Sequence, residues 1–389
     1  MKIAVIGIGY VGFSNAVLFA KSNEVVLFDI DKSKIEKVNN ATMPFELPSE
    51  ENDLLDKETI KRLYATDDKV KAYTNTDVVI ISVSTDSLGE GQPLNTTNVE
   101  SVISDAKQFA PNAVIVIRST IPIGFTKRMN EKYNCDNIIF VPEFLRENKA
   151  LYDTIHPTRV VVGDTGAVGQ RITELFKKAY ENCDVPFAQT SSSEAEAVKL
   201  FSNTYLAMRV AFFNELDTYA LENDMDSKAI ITGLGYDPRI GDGYNNPSLG
   251  YGGYCLPKDS QQLAVIYSQI PSVLIKNIIE SNKLRKEYMA QKIMDSCSGA
   301  IGFYRLTAKA NSDSFRASAV VDVIKIIKSQ GREVLIYEPL IKQDDNLGVF
   351  YDDLQAFANA SGIIVANRIT PEIEEFKQKI FSRDCFNRD

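Results

Sequence analysis

A single histidine, His156, and five cysteines with no Cys-x-x-Cys pair among them limit the chemistry open to this 389-residue chain. Cys135, Cys183, Cys255, Cys297 and Cys385 are odd in number and widely scattered, so they suggest neither a disulfide framework nor a zinc site, and no metal is expected. His156 stands before Pro157, in what reads as a turn or extended segment with no evident partner. The acid or base of any catalyst here is expected to be another residue. Positive charge is also in deficit: 43 Lys and Arg against 52 Asp and Glu give a formal net charge of -9. Sequence-independent binding to phosphate backbones needs clustered Lys and Arg, so neither nucleic acid nor an anionic membrane is an expected partner. Any phosphate must be recognised locally. No apolar run approaches the ~20 residues that a spanning helix requires. Lys2 to Ala20 looks superficially like a secretion signal, but Gly7, Gly9 and Gly12 interrupt it and no convincing cleavage site follows. A cytoplasmic location is the expectation.

What is present is a globular composition, 44% hydrophobic and 24% charged. The length suits two or three domains of roughly 100 to 200 residues. Short β-rich runs at Lys2–Ile6, Glu24–Phe28, Asp77–Val83, Ala113–Ile117 and Asn137–Val141 alternate with helical patterns, which predicts a parallel sheet with crossover helices over residues 1–190. Ser191–Asn223 is nearly free of Gly and Pro. Its apolar residues Ala195, Val198, Phe201, Tyr205, Met208, Phe212 and Leu216 have helical spacing. Gly233–Pro257, rich in Gly, Asn, Pro and Tyr, reads as a long functional loop, and a helical pattern follows through Asn277–Asp295. A second α/β pattern occupies 296–389, with strands near Ala300–Tyr304, Glu333–Tyr337 and Ile363–Ala366 and a helix over Arg316–Ser329. The order is α/β domain (1–190), helical region (191–295), α/β domain (296–389).

Several motifs sit where such a fold places ligands. Gly7-Ile8-Gly9-Tyr10-Val11-Gly12 follows a strand and opens a helix. In a dinucleotide site the first glycine makes the turn, the second admits a pyrophosphate and the third lets helix pack on strand. The same triplet can be a packing turn only. Asp29, ending the next strand, is placed to accept hydrogen bonds from the adenosine ribose and to repel a 2′-phosphate, so NAD is the expected cofactor. Ser119-Thr120-Ile121-Pro122-Ile123-Gly124 follows another strand; Thr120 is a site candidate or a helix cap. Pro142-Glu143-Phe144-Leu145-Arg146-Glu147 brings two carboxylates to the same sheet edge, where each is a site group or an ordinary ion-paired one. Lys199 and Asn203, four apart in the long helix, share a face. Lys199 is an oxyanion partner or a snorkelling lysine. In Gly250-Tyr251-Gly252-Gly253-Tyr254-Cys255-Leu256-Pro257-Lys258-Asp259, glycines admit a close ligand and a helical pattern begins at Asp259. Proximity of Cys255 to a helix N-terminus and to Lys258 favours a thiolate; the alternative is a buried structural cysteine.

Together these segments, with Glu194-Ala195-Glu196-Ala197-Val198-Lys199-Leu200-Phe201, Asn203-Thr204-Tyr205, Tyr244-Asn245-Asn246-Pro247-Ser248 and Ser312-Asp313-Ser314-Phe315-Arg316, resemble the UDP-glucose/GDP-mannose dehydrogenase family over essentially the whole chain. The resemblance implies two Rossmann-like, doubly wound α/β domains joined by a long central helix that also forms a homodimer interface. NAD would lie on the first domain and the UDP moiety on the last. It implies a nucleophile at Cys255, with Lys199 and Asn203 as oxyanion partners and Thr120, Glu143 and Asp259 as acid/base and water-holding groups. Cofactor contacts would come from Gly7, Gly9, Tyr10, Val11, Gly12, Asp29, Lys34, Thr85, Thr120, Glu147, Lys258 and Arg316. Substrate contacts would come from Glu143, Phe144, Leu145, Arg146, Glu147, Lys199, Asn203, Arg239, Tyr244, Asn245, Asn246, Pro247, Ser248, Gly252 and Lys309, with Arg239 supplied by the partner subunit. Val83-Ser84-Thr85, Val141 and Leu249 depart from the family pattern, at the cofactor loop and the sugar pocket rather than at the catalytic groups.

The reaction so implied is NAD-dependent four-electron oxidation of UDP-glucose to UDP-glucuronate through a thiohemiacetal and a thioester. Another sugar nucleotide, a UDP-N-acetylhexosamine or GDP-mannose, is the alternative substrate. Two rivals stand beside it: a two-electron alcohol dehydrogenase, which needs no thiol, and a non-catalytic NAD or nucleotide-sugar sensor, which does not need Cys255, Lys199 and Asp259 together.

Overall fold

The computed structural model describes residues 1–45, 49–89, 91–181, 183–306, 318–339 and 346–387. Its chain divides into two compact units, Met1–Phe201 and Ser202–Asp389. In the first, the strands β1 (Lys2–Ile6), β2 (Glu24–Phe28), β3 (Tyr64–Thr66), β4 (Val78–Ile81), β5 (Val114–Ile117) and β6 (Ile138–Phe140) lie in the order β3-β2-β1-β4-β5-β6, each neighbouring pair parallel. Ile3–Ile6, Val78–Ile81 and Val114–Ile117 are buried throughout, as a parallel sheet covered on both faces requires. Each buried Val or Ile side chain among them stabilises the fold by about 1.5 to 3 kcal/mol. The strand order reverses between β1 and β4, and that switch point opens a crevice at the carboxyl ends of the strands. A parallel pair, β7 (Val160–Val162) and β8 (Phe187–Gln189), lies outside this sheet.

The second unit repeats the plan on a smaller scale. Strands β9 (Ile301–Tyr304), β10 (Val334–Tyr337), β11 (Val349–Tyr351), β12 (Ile363–Ala366) and β13 (Ile380–Phe381) are ordered β11-β10-β9-β12-β13 and all parallel. Helices Ser227–Gly235, Cys255–Ile266 and Leu274–Ser296 precede the sheet, and Ala319–Ser329 packs on it. The expected α/β architecture, two doubly wound Rossmann-like sheets and a long central helix, is the fold found.

That long helix, Ser192–Glu222, contains the point where the chain divides. Its periodicity is helical as expected, but of the apolar positions read from the spacing only Ala195 is fully buried, and most of that stripe does not mark the buried face. Glu196, Lys199, Asn203, Asn214 and Asp217 are buried, whereas Phe201, Tyr205, Phe212 and Tyr219 are 41%, 54%, 59% and 61% exposed. The helix therefore buries these polar residues together with Ala195, Leu200, Ala207, Ala211, Phe213 and Ala220, and turns an aromatic stripe outward. No helix among the described residues is long and apolar enough to cross a membrane, and no group of three or more His, Cys, Asp or Glu among them is arranged to hold a metal.

Candidate active site

At the crevice of the first unit, Gly7 takes φ +99°, and its N–H donates to the Phe28 carbonyl at 2.8 Å. A Cβ on Gly12 would stand 1.9 Å from the Gly7 carbonyl oxygen, so the helix Tyr10–Ala20 presses directly on the turn. Gly9 is the opposite case, since a Cβ there would meet nothing within 4 Å. The helix has no acidic residue in its first turn and no side-chain cap, leaving its N-terminal N–H groups suited to an anion. Asp29 closes the site at the end of β2, where Oδ2 accepts the Ile8 N–H at 2.6 Å and Oδ1 accepts that of Asp31 at 3.0 Å. Asp31 caps the helix Lys32–Asn39 and so fixes Lys34 in its first turn. Thr85 is buried near the end of β4. Turn, open glycine, uncapped helix and a carboxylate at the end of the second strand together fit a dinucleotide without a 2′-phosphate.

The ends of β5 and β6 gather a second group of the same unit. Ser119 Oγ donates to the Val83 carbonyl at 2.6 Å, and Thr120 is buried beside it in sequence. The next helix, Phe125–Tyr133, has no cap of its own; Glu196 of the long helix accepts the N–H groups of Gly124 and Thr126. Burial pushes the Glu196 carboxyl above its ordinary value, against the pull of these donors. Glu143 is ion-paired with Arg118 in the interior; Asn15 Nδ2 donates to its Oε2 at 3.2 Å and the Phe144 N–H to its Oε1 at 3.0 Å. Lys199 is 7% exposed, which rules out a snorkelling surface role. Its Nζ donates to the Glu143 carbonyl and lies 5.5 Å from the centroid of the Phe144 ring. Arg159 stands 3.8 Å from that same centroid. Leu145 is half-buried, Glu147 opens a 3-10 turn, and Arg146 is engaged by Asp153 through Nε at 2.9 Å and Nη2 at 2.7 Å.

The second unit assembles the cysteine segment. Its helix begins at Cys255 itself, four residues before the expected start, because Pro257 falls in the first turn, where no intrahelical N–H is required. Cys255 is half-buried, and Asp259 follows it by one turn on the same helix face. Asp259 is fully buried; its Oδ2 accepts from Asn203 Nδ2 at 2.5 Å, and Oδ1 lies 3.3 Å from Lys258 Nζ while accepting no hydrogen bond. Lys258 Nζ also lies 4.8 Å from the Tyr254 ring centroid. Residues 244–252 approach the helix without regular structure and are tied down by side chains at Ser248 and Tyr251. Asn214 Oδ1 accepts the Ser248 N–H at 2.9 Å, Asn282 exchanges hydrogen bonds with the Tyr251 backbone at 2.8 and 2.9 Å, and Arg285 donates twice to the Ser248 carbonyl. Asn245, Asn246, Pro247 and Ser248 are buried, Tyr244 and Gly252 half-buried. Arg239 is exposed and ion-paired with Asp237. Lys309 and Arg316 lie outside the described residues.

Sequence reasoning thus singled out Lys199, Glu143, Phe144, Asn203, Cys255 and Asp259, and the structure groups the first three in one unit and the last three in the other. It overlooked Arg118, Asn15, Arg159 and Glu196. Asn15 carried a signal, a lone amide within the apolar run Phe13–Ala20, and Arg118 stands directly before Ser119 at a strand end.

Three family models cover nearly the whole chain. They are the NAD binding domain, the central domain and the UDP binding domain of the UDP-glucose/GDP-mannose dehydrogenase family, matching residues 1–183, 193–284 and 302–386. Among curated relatives, the UDP-glucose 6-dehydrogenase of Campylobacter jejuni is 44% identical and that of Streptococcus pneumoniae 43% identical, each over 100% of both chains. A solved UDP-glucose dehydrogenase from Pyrobaculum islandicum, 24% identical, covers 100% of this chain and 94% of its own with a TM-score of 0.85. At that identity the likeness concerns the fold.

Proposed function

The chain belongs to the UDP-glucose/GDP-mannose dehydrogenase family and is an NAD-dependent oxidoreductase, and from that premise we propose that it oxidises UDP-glucose to UDP-glucuronate as a UDP-glucose 6-dehydrogenase. The observation that carries the mechanism is the placing of Cys255 at the head of a helix, one turn before a buried Asp259 held by Asn203.

Gly7 to Gly12, Asp29, Lys34 and Thr85 would hold NAD, which would supply the hydride acceptor for each of two oxidations. Loss of hydride and proton from the C6 alcohol leaves an aldehyde. A second hydride leaves readily only from a tetrahedral carbon, so the Cys255 sulfur adds to the aldehyde to give a thiohemiacetal, whose oxidation leaves a thioester. Water then attacks that carbon, the C–S bond breaks, and the thiol and the carboxylic acid are released. The helix N-terminus favours the thiolate that adds. Lys199 and Asn203 stabilise the successive oxyanions, for which the loss of one donor costs about 10²- to 10³-fold in rate. Asp259 with Thr120 holds the water, and Glu143 takes part in thioester hydrolysis. The substrate is held by Phe144 to Glu147, Tyr244 to Ser248, Gly252 and Lys309. Residues 1–190 serve the cofactor, 191–295 the cysteine loop and dimer, and 296–389 the UDP moiety. The outward aromatic stripe Phe201, Tyr205, Phe212 and Tyr219 supports a homodimer along the long helix, and a monomer by light scattering would remove that part of the reading.

The test is NADH formation across a panel of sugar nucleotides with product identification. Two NADH and one UDP-glucuronate per UDP-glucose are expected. One NADH with accumulating aldehyde overturns the four-electron mechanism; turnover only on another sugar nucleotide overturns the substrate; no turnover on any supports a sensor.

A further inference from the structure

We infer that the segment Arg383–Cys385 sets the shape of the loop Tyr244–Ser248, so that Asn246 and Asp384 are positioning residues for nucleotide-sugar binding; this rests on the reading above that the loop contacts the substrate. Both ends of the Asn246 amide are engaged by this segment: Nδ2 donates to Asp384 Oδ1 at 2.7 Å, and Oδ1 accepts the Cys385 N–H at 3.0 Å. Asp384 Oδ1 also accepts the N–H groups of Phe386 at 3.3 Å and Asn387 at 2.8 Å, so one buried carboxylate both folds its own segment and grips the loop.

The preceding residue reaches the same loop by a second route. Arg383 is ion-paired with Asp217 and donates to Ser227 Oγ at 3.3 Å. Asp217 is also paired with Arg285, and Arg285 donates to the Ser248 carbonyl through Nε at 3.1 Å and Nη2 at 2.9 Å. Consecutive residues thus connect to Asn246 directly and to Ser248 through two buried charges. Neither Tyr244–Ser248 nor Ser382–Phe386 belongs to a helix or strand, so backbone ladders do not dictate their shape and these side-chain ties do. The loop opens at Tyr244 with φ +55°, a conformation that a residue with a side chain holds only where its surroundings impose it. Releasing the ties therefore changes the loop before it disturbs the sheet.

The experiment compares Asp384→Ala, Asn246→Ala, their double variant and Asp384→Asn with the full-length wild type. KM for UDP-glucose is expected to rise by about tenfold in each alanine variant while kcat changes by less than about threefold and KM for NAD stays put. The double variant should be no worse than the worse single one, because both remove the same tie. Asp384→Asn, which keeps an acceptor for Asn246 Nδ2, should recover most of the loss. Hydrogen exchange of residues 244–248 should rise in Asp384→Ala. A large effect of Asn246→Ala with none of Asp384→Ala would mean that the Asp384 tie does not set the shape of the loop, and would overturn the inference. So would equal losses in kcat, both KM values and melting temperature, or unchanged exchange in the loop. If wild type does not bind UDP-glucose, the substrate reading fails, and the exchange measurement still decides whether the tie exists.

Discussion

Asn203 donates to Asp259 Oδ2 at 2.5 Å, joining the long helix to the helix that begins at Cys255. Asp259 is fully buried, and its other oxygen accepts no hydrogen bond, so among the described residues the Asn203 amide and the nearby Lys258 ammonium are what compensate its burial. Asn203→Leu removes the donor while keeping the branching and the number of side-chain heavy atoms. A buried polar group left unsatisfied costs about 1 to 3 kcal/mol, more when charged. Thermal unfolding should therefore show a lowered melting temperature, and turnover should fall as well. A variant with wild-type stability and rate would mean that the pair matters for neither.

Cofactor choice turns on Asp29. Its carboxylate sits at the tip of β2, 2.6 Å from the Ile8 N–H of the glycine turn, so a 2′-phosphate on the ribose would bring like charges together. Asp29→Ser should lower kcat/KM with NAD and narrow the preference over NADP. Steady-state kinetics with both cofactors measure it; a wild type equally efficient with NADP would remove Asp29 from this role.

Acid should act on the second unit through Asp217. Burial alone would push this carboxyl up, but the hydrogen bond from Arg383 and the charges of Arg285 and Arg383 outweigh it and hold the group below its ordinary 3.8. A carboxyl depressed by folding stabilises the fold above its unfolded value, and that contribution is lost as pH falls below 3.8 through the folded value. Asp217→Asn leaves two guanidinium groups without their counter-charge and should cost about 3 to 5 kcal/mol at neutral pH. Denaturant titrations at neutral pH and near pH 3 should show the gap between wild type and variant shrinking in acid; a gap that is constant or grows would reverse the assigned sign.

The sheets were readable because interior parallel strands are continuous β-branched runs: β1, β2 and β12 begin and end where composition places them. The short β3, β7, β8, β11 and β13 carry too few residues for any period to register. Pro257 read as loop because a proline marks a helix interior as forbidden, yet it is tolerated in the first turn, so the cysteine helix starts earlier than its pattern suggests. The long helix defeated periodicity differently. Spacing revealed its apolar stripe but not what that stripe faces, and the buried side holds Glu196, Lys199, Asn203, Asn214 and Asp217 among small apolar residues such as Ala207 and Ala211. Their partners lie far away in sequence, Glu196 reaching Gly124 and Asp217 reaching Arg383, and a single sequence holds no record of such pairings.

Cys255→Ala should abolish UDP-glucuronate formation while leaving NAD binding intact, since the glycine turn and Asp29 belong to the other unit. Loss of activity alone would not prove a bond to sulfur, because a smaller side chain at the head of a helix also alters local packing. Glu143→Gln separates the two. In the mechanism above it impairs hydrolysis but not addition or hydride removal, so the thioester should outlive turnover and appear as a sugar-nucleotide adduct on the peptide carrying Cys255. The amide keeps the shape of the carboxyl but leaves Arg118 facing a neutral partner in the interior, so folding must be checked by melting temperature alongside. A folded Glu143→Gln enzyme that releases NADH in a burst and then stalls, with the adduct mass on Cys255, is the expected result. A folded variant that stalls without any adduct would rule out the thioester as the species Glu143 acts on, and Cys255 would then have to serve in some way other than as nucleophile.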